Sequence, residues 1–143
     1  MKKVNVGLIG FGTVGSGVVK ILREKKSMLA DKIGAEINIK KICDKNITSR
    51  RNVTVTKDIL TRDAREIIND PQIDVVVELI GGMHPAKDFI VEALNKGKNI
   101  VTANKSGMYF RNNINLSLYG NIIADNDFGY AGIHQGSGPQ HYL

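Results

Sequence analysis

Val4-Asn5-Val6-Gly7-Leu8-Ile9-Gly10-Phe11-Gly12-Thr13-Val14-Gly15 is the stretch that decides the fold of this chain. Its first half is short and rich in β-branched and apolar residues, the signature of a buried strand. Its second half is a G-x-G-x-x-G loop, with glycines at 10, 12 and 15. In such a loop the first glycine allows a tight turn. The second lets a pyrophosphate approach the backbone, and the third lets the following helix pack closely on the strand. Val14, Val18, Ile21 and Leu22 then recur at i, i+4, i+7 and i+8, which predicts one apolar stripe on a helix reaching at least Arg23. The first amides of that helix, at the positive end of its dipole, suit phosphate groups. Gly10, Phe11, Gly12, Thr13, Val14 and Gly15 are therefore read as cofactor-binding positions. No Gly-Lys-Ser/Thr follows the glycines, which excludes a mononucleotide P-loop.

Working outward, Ile37, Ile39 and Ile42 predict a second strand ending near Cys43-Asp44, followed by a polar, basic connection from Asn46 to Thr56. Asp63 to Asn69 reads as a helix closed by Pro71. Ile73 to Ile80 reads as a strand running into Gly81-Gly82. Pro85 suits a first helical position and His84 before it a capping position. Ile90, Ala93 and Leu94 form a stripe, and Gly97 supplies a left-handed stop. Asn99 to Thr102 is a further strand. Strands alternating with helices predict an α/β fold, a Rossmann-type doubly wound parallel sheet with right-handed crossovers. The strand ends bearing the glycine loop, Asp44, Gly81-Gly82 and Thr102 then share one edge, where a ligand binds.

An acidic residue ending the second strand accepts hydrogen bonds from an adenosine ribose and repels a 2′-phosphate, so Asp44 points to NAD over NADP. It lies 29 residues past Gly15, and a longer first helix and loop over Glu24 to Glu36 accounts for the spacing. A turn role for Asp44 stays open, as does a grip on a 2′-phosphate by Lys45, Arg50, Arg51 or Lys57. Gly81 and Gly82 would let the nicotinamide end lie against bare backbone, or form a plain turn. Glu78 reads as a strand-end carboxylate rather than a catalytic base. Thr102-Ala103-Asn104-Lys105 ends on the ligand edge, where Lys105 is either a donor to a substrate carbonyl or an ordinary surface lysine.

The chain has 143 residues, 42% of them apolar, enough for one domain with a buried core. Neither a cleavable signal nor a membrane span is evident, so no membrane association is expected. Cys43 is the only cysteine, which excludes an internal disulfide and fits a reducing cytoplasm. No Cys/His cluster has metal-ligand spacing, and His134 and His141 are read as bystanders. The net charge of +6 is scattered among 14 acidic residues and reads as a solvated basic surface, not a nucleic-acid interface. Beyond Lys105 the composition changes: lysine disappears, and only Arg111, Asp125 and Asp127 are charged. Residues 1–105 are thus read as the dinucleotide-binding domain and 106–143 as a divergent tail. The break is of the kind left by a fragment or a shifted reading frame.

Four blocks together resemble the homoserine dehydrogenase family. They are Gly7 to Val19, Leu60-Thr61-Arg62-Asp63-Ala64, Ile73 to Gly82 with His84-Pro85-Ala86, and Val101-Thr102-Ala103-Asn104-Lys105. The resemblance implies NAD(P)-dependent interconversion of L-aspartate 4-semialdehyde and L-homoserine, on the shared route to threonine, methionine and isoleucine. It implies that Lys105 is the active-site and cofactor-contacting lysine. Some members carry an arginine for the 2′-phosphate where Cys43 stands, which favours NAD here. It further implies a substrate and dimerisation domain, homo-oligomeric in the full-length proteins. The family's acidic substrate-binding residue, its aspartate and its second catalytic lysine have no counterpart in this sequence. Turnover by this chain alone is therefore not expected. A stand-alone dinucleotide-binding or redox-sensing module is the competing reading.

Overall fold

A computed structural model describes residues 1–82 and 84–103. The described elements run β1 (Lys2–Ile9), α1 (Thr13–Glu24), α2 (Lys26–Ile33), β2 (Ala35–Cys43), a 3₁₀ turn (Lys57–Ile59), β3 (Leu60–Thr61), α3 (Arg65–Ile68), β4 (Val75–Glu78), α4 (Ala86–Asn95) and β5 (Asn99–Thr102). The strands form one sheet in the order β3-β2-β1-β4-β5, and each adjacent pair is parallel. From β1 the chain winds first to one side and then, through β4, to the other. The strand order therefore reverses between β1 and β4, the doubly wound arrangement expected from the sequence.

Pleat alternation divides the core into two layers. Leu8, Phe11 and Ile42 pack with Val19 of α1 on one face. Ile9, Cys43, Val76 and Ile100 pack with Ile67 and Ile68 of α3 and Ile90 and Ala93 of α4 on the other. At Gly7 α3 lies close on the sheet, for a Cβ there would stand 2.3 Å from Ile67 Cγ2. In β2 the ladder passes from Val6↔Ile39 to Gly7↔Lys41, leaving Lys40 as an extra residue in a bulge. The bulge lets Ile39 and Ile42, three positions apart, both face the α1 layer. The Lys40 ammonium meets Asp70 Oδ2 at 2.5 Å and Gln72 Oε1 at 2.8 Å, at the edge of the sheet away from the glycine loop.

Three expectations need adjustment, and one strand was not anticipated. The buried face of α1 runs through Gly15, Ser16 and Val19, while Val14 and Ile21 are 57% and 58% exposed. Glycine and serine contribute no hydropathy signal, so the valine and isoleucine pattern pointed to a neighbouring face. The segment from Glu24 to Glu36 is not a prolonged first helix. The chain turns at Lys25 into α2, which ends at Gly34 in the left-handed region (φ 68°). The two-residue edge strand β3 is too short for any alternation to announce it. His84 is not the cap of α4, whose flanking residue is Pro85 with no side-chain cap bond. Its Nδ1 lies 3.4 Å from Asp88 Oδ2, one helical turn onward. No helix among the described residues is long and apolar enough to cross a membrane.

Candidate dinucleotide site

The glycine loop is drawn tight by its neighbours. Gly10 donates its amide to Cys43 O at 2.8 Å, joining the end of β1 to the end of β2. Its φ of 105° belongs to the region that favours glycine. A Cβ there would also come within 2.9 Å of the Leu79 and Ile80 backbone, so the loop and the β4 end touch at this residue. Gly15 sits where α1 crosses the loop, and a Cβ there would lie 2.0 Å from Gly10 O. Gly12 is different, because nothing lies within 4 Å of the place its Cβ would take. Gly12, Thr13 and Val14 are exposed at the start of α1, which leaves the positive end of that helix open to an anion.

Phe11 is placed differently from its neighbours. Its ring is buried, 2% exposed, in the α1 layer, so its side chain is a core group rather than a ligand contact. Its amide donates to Asp44 Oδ2 at 2.6 Å, and its carbonyl accepts from Arg51 Nε. The Arg51 guanidinium lies over the Phe11 ring, 4.6 Å from the centroid, and 3.5 Å from Asp44 Oδ1. It also donates to Ser49 O at 2.7 Å and to Asn46 O. Asp44 Oδ1 accepts the Asn46 amide at 2.8 Å. Asp44 thus stands at the expected strand end, and its carboxylate also braces the glycine loop against the 44–51 turn. Arg51 is the residue whose part the sequence did not reveal. Forty positions separate it from Phe11, and only the folded turn brings them together.

On the far side of the loop, Gly81 and Gly82 are exposed at the end of β4, with Gly82 at φ 92°. Beneath them Glu78 is fully buried. Its Oε1 accepts the Ile80 amide at 2.7 Å, and its Oε2 accepts the Thr102 hydroxyl at 2.6 Å. Burial pushes the Glu78 carboxyl above the usual carboxylate range, against the pull of those two hydrogen bonds. Thr102 therefore directs its hydroxyl at Glu78. Lys105, with Asn104, lies outside the described residues, as do His134, His141 and the whole 106–143 segment. The described site residues fall into three groups along one edge of the sheet: Asp44 and Arg51 at β2, the glycine loop at β1, and Glu78, Gly81, Gly82 and Thr102 at β4 and β5. Among the described residues no group of three or more His, Cys, Asp or Glu could hold a metal ion.

Comparison with known proteins agrees with this geometry. The family described as "Homoserine dehydrogenase, NAD binding domain" matches residues 10–122, extending beyond the last of the four blocks quoted above. The homoserine dehydrogenase of Bacillus subtilis is 44% identical over 108 residues, which are 76% of this chain and 25% of that protein. That of Methylobacillus glycogenes is 44% identical over 106 residues, 74% of this chain and 26% of that protein. A crystal structure of the Staphylococcus aureus homoserine dehydrogenase superposes with a TM-score of 0.68 at 41% identity, covering 73% of this chain and 27% of that one. The enzyme of Thiobacillus denitrificans gives 0.65 at 36% identity, covering 73% and 24%. The chain spans about a quarter of the length of the curated relatives it matches.

Proposed function

The chain belongs to the homoserine dehydrogenase family, carrying its NAD-binding domain, and from that premise we propose that it holds the nicotinamide cofactor for the interconversion of L-aspartate 4-semialdehyde and L-homoserine. The observation that carries this reading is the open approach at Gly12 onto the first turn of α1, at the point where the strand order reverses. A dinucleotide laid there has its pyrophosphate on the α1 amides. Its adenosine half extends towards Asp44, and its nicotinamide half towards Gly81 and Gly82. In the reaction, hydride passes between the nicotinamide and the substrate carbon. Lys105 is proposed as the donor to the carbonyl oxygen on which negative charge develops. The substrate is held by the family's second domain, so turnover requires that domain to be supplied. The same reading places the protein in the cytoplasm, in threonine, methionine and isoleucine biosynthesis, and within a homo-oligomer when the substrate domain is present.

NAD is the proposed cofactor rather than NADP. Arg51 is the cation held against Asp44, but its donors are directed at three carbonyls and at Asp44, and its side chain is only 11% exposed. Its charge is engaged within the turn and not offered to a 2′-phosphate, while the Asp44 carboxylate opposes one. Titrating the 143-residue chain with NADH and with NADPH, followed by nicotinamide fluorescence, tests both statements. Saturable NADH binding tighter than NADPH binding is expected. Tighter NADPH binding overturns the preference, and no binding of either overturns the cofactor role.

A further inference from the structure

A carboxyl group fully removed from water calls for a reason, because burial penalises its charged form unless partners compensate. Glu78 has no cationic partner among the described residues. What it has is position. It is the last residue of β4, it stands opposite Ile9 of β1 and Thr102 of β5 in the ladder, and its backbone carbonyl accepts the Ala103 amide at 3.4 Å. Its two carboxyl oxygens reach different segments: one the Ile80 amide in the 79–82 loop, the other the Thr102 hydroxyl at the end of β5. A carboxylate can accept from both at once with both oxygens, which a hydroxyl or an amide cannot do as symmetrically. On the cofactor reading above, these two segments are the walls towards which the nicotinamide half of a dinucleotide extends. Thr102 also stands three residues before Lys105.

We propose that Glu78 is the positioning residue of the nicotinamide subsite, fastening the 79–82 loop to the end of β5 so that the two walls keep a fixed separation. It touches no substrate in this role and acts through Ile80 and Thr102. The proposal rests on the cofactor reading above, and the two are separable because a dinucleotide has two halves. ADP-ribose carries the adenosine and pyrophosphate portion but lacks nicotinamide. It should therefore report on the β1 and β2 side alone.

The test measures NADH binding by nicotinamide fluorescence and ADP-ribose binding by calorimetry on the full chain and on Glu78→Gln, Thr102→Val and Thr102→Ser, each checked for folding by circular dichroism. Glu78→Gln and Thr102→Val should weaken NADH about tenfold, the scale of one lost charge-assisted hydrogen bond, while ADP-ribose changes by less than about twofold. Thr102→Ser keeps the hydroxyl and should restore NADH binding. Should Glu78→Gln fail to fold, the Thr102 pair carries the same comparison. Unchanged NADH binding in the folded variants overturns the proposal, and so does an equal loss of ADP-ribose, which would mark general damage. An unaltered chain that binds neither ligand overturns the cofactor reading itself, and this proposal with it.

Discussion

Gly12→Ala and Gly15→Ala add the same methyl group to the same loop, and their consequences should be opposite. At Gly12 the backbone has φ −76°, which alanine adopts freely, and nothing lies within 4 Å of the new carbon. Folding stability should stay within about 0.5 kcal/mol of the unaltered chain, the usual range for a substitution that meets no neighbour. The methyl group nevertheless occupies the approach to the α1 amides. A phosphate oxygen needs roughly 2.9 Å to those nitrogens, and displacing it forfeits one charge-assisted hydrogen bond at about 1.5–3 kcal/mol. NADH affinity should fall by roughly ten- to a hundredfold, taking about 1.4 kcal/mol per decade. At Gly15 the new carbon would lie 2.0 Å from Gly10 O, where carbon and oxygen normally stay about 3.3 Å apart. A backbone atom cannot rotate aside. Helix α1 must therefore back away from β1 by more than an ångström or so, which loosens Ser16 and Val19. Overpacking of this kind costs about 1–3 kcal/mol, and at roughly 4–8 °C per kcal/mol the melting temperature should drop visibly. Thermal unfolding by circular dichroism, paired with NADH titration below the transition, separates the two effects. If Gly12→Ala binds NADH as tightly as the unaltered chain, the pyrophosphate does not cross Gly12. If Gly15→Ala melts at the same temperature, α1 does not bear on the loop.

Two further outcomes follow from other buried groups. Burial, with the charge of Asp44 beside it, pushes the Cys43 thiol from 9.0 up to about 11. Alkylation by iodoacetamide at pH 8 should be about a hundredfold slower in the folded chain than in denaturant, the thiolate fraction falling tenfold per pKa unit. Because the folded value is the higher one, this thiol's contribution to stability is complete below pH 9 and is lost as the pH rises towards 11. Rapid labelling in native buffer would contradict its placement in the core. Lys98 is buried at the start of β5 and donates to Asp70 O at 2.6 Å and Ile73 O at 2.8 Å. Lys98→Met keeps the stem but leaves both carbonyls without that donor, so stability should fall by about 1–3 kcal/mol with NADH affinity unchanged. Weaker NADH binding at equal folding would show that this end of the sheet communicates with the other.

The parts of the fold that were legible in the sequence are those where one local rule dominates. The β1 strand, its glycines and the helix after them follow from residue type alone, and Gly97 ends α4 in the left-handed conformation, φ 73°. Where packing is contributed by residues without hydropathy, the pattern misled. The face of α1 that meets the sheet is made by Gly15 and Ser16, so the apolar repeat rotated the helix towards Val14 and Ile21. The site was legible residue by residue but not in its wiring. Phe11 belongs to the loop, yet its ring sits in the core and its main chain is held by Asp44 and Arg51. Glu78 reads from the sequence as a strand-end carboxylate. That it links two segments depends on the register of β4 with β5, a long-range fact that no window of sequence contains.

The Lys40 bulge also bears on how this strand can change length. Its neighbours before and after are in step with β1 on either side of it, so residue 40 is a spare link that the ladder does not use. Removing it would close the pairing into a regular run, with Ile39 and Ile42 still turned to α1, Cys43 still turned to α3, and Asp44 still arriving beside Phe11. The loss would be confined to the tie with Asp70 and Gln72. A residue inserted between Lys41 and Cys43 finds no such slack, and would carry the Asp44 carboxylate to the wrong face of the sheet. Length variation in β2 is thus tolerated at Lys40 and forbidden just after Lys41, where the strand sets its acid against the Phe11 amide of the glycine loop.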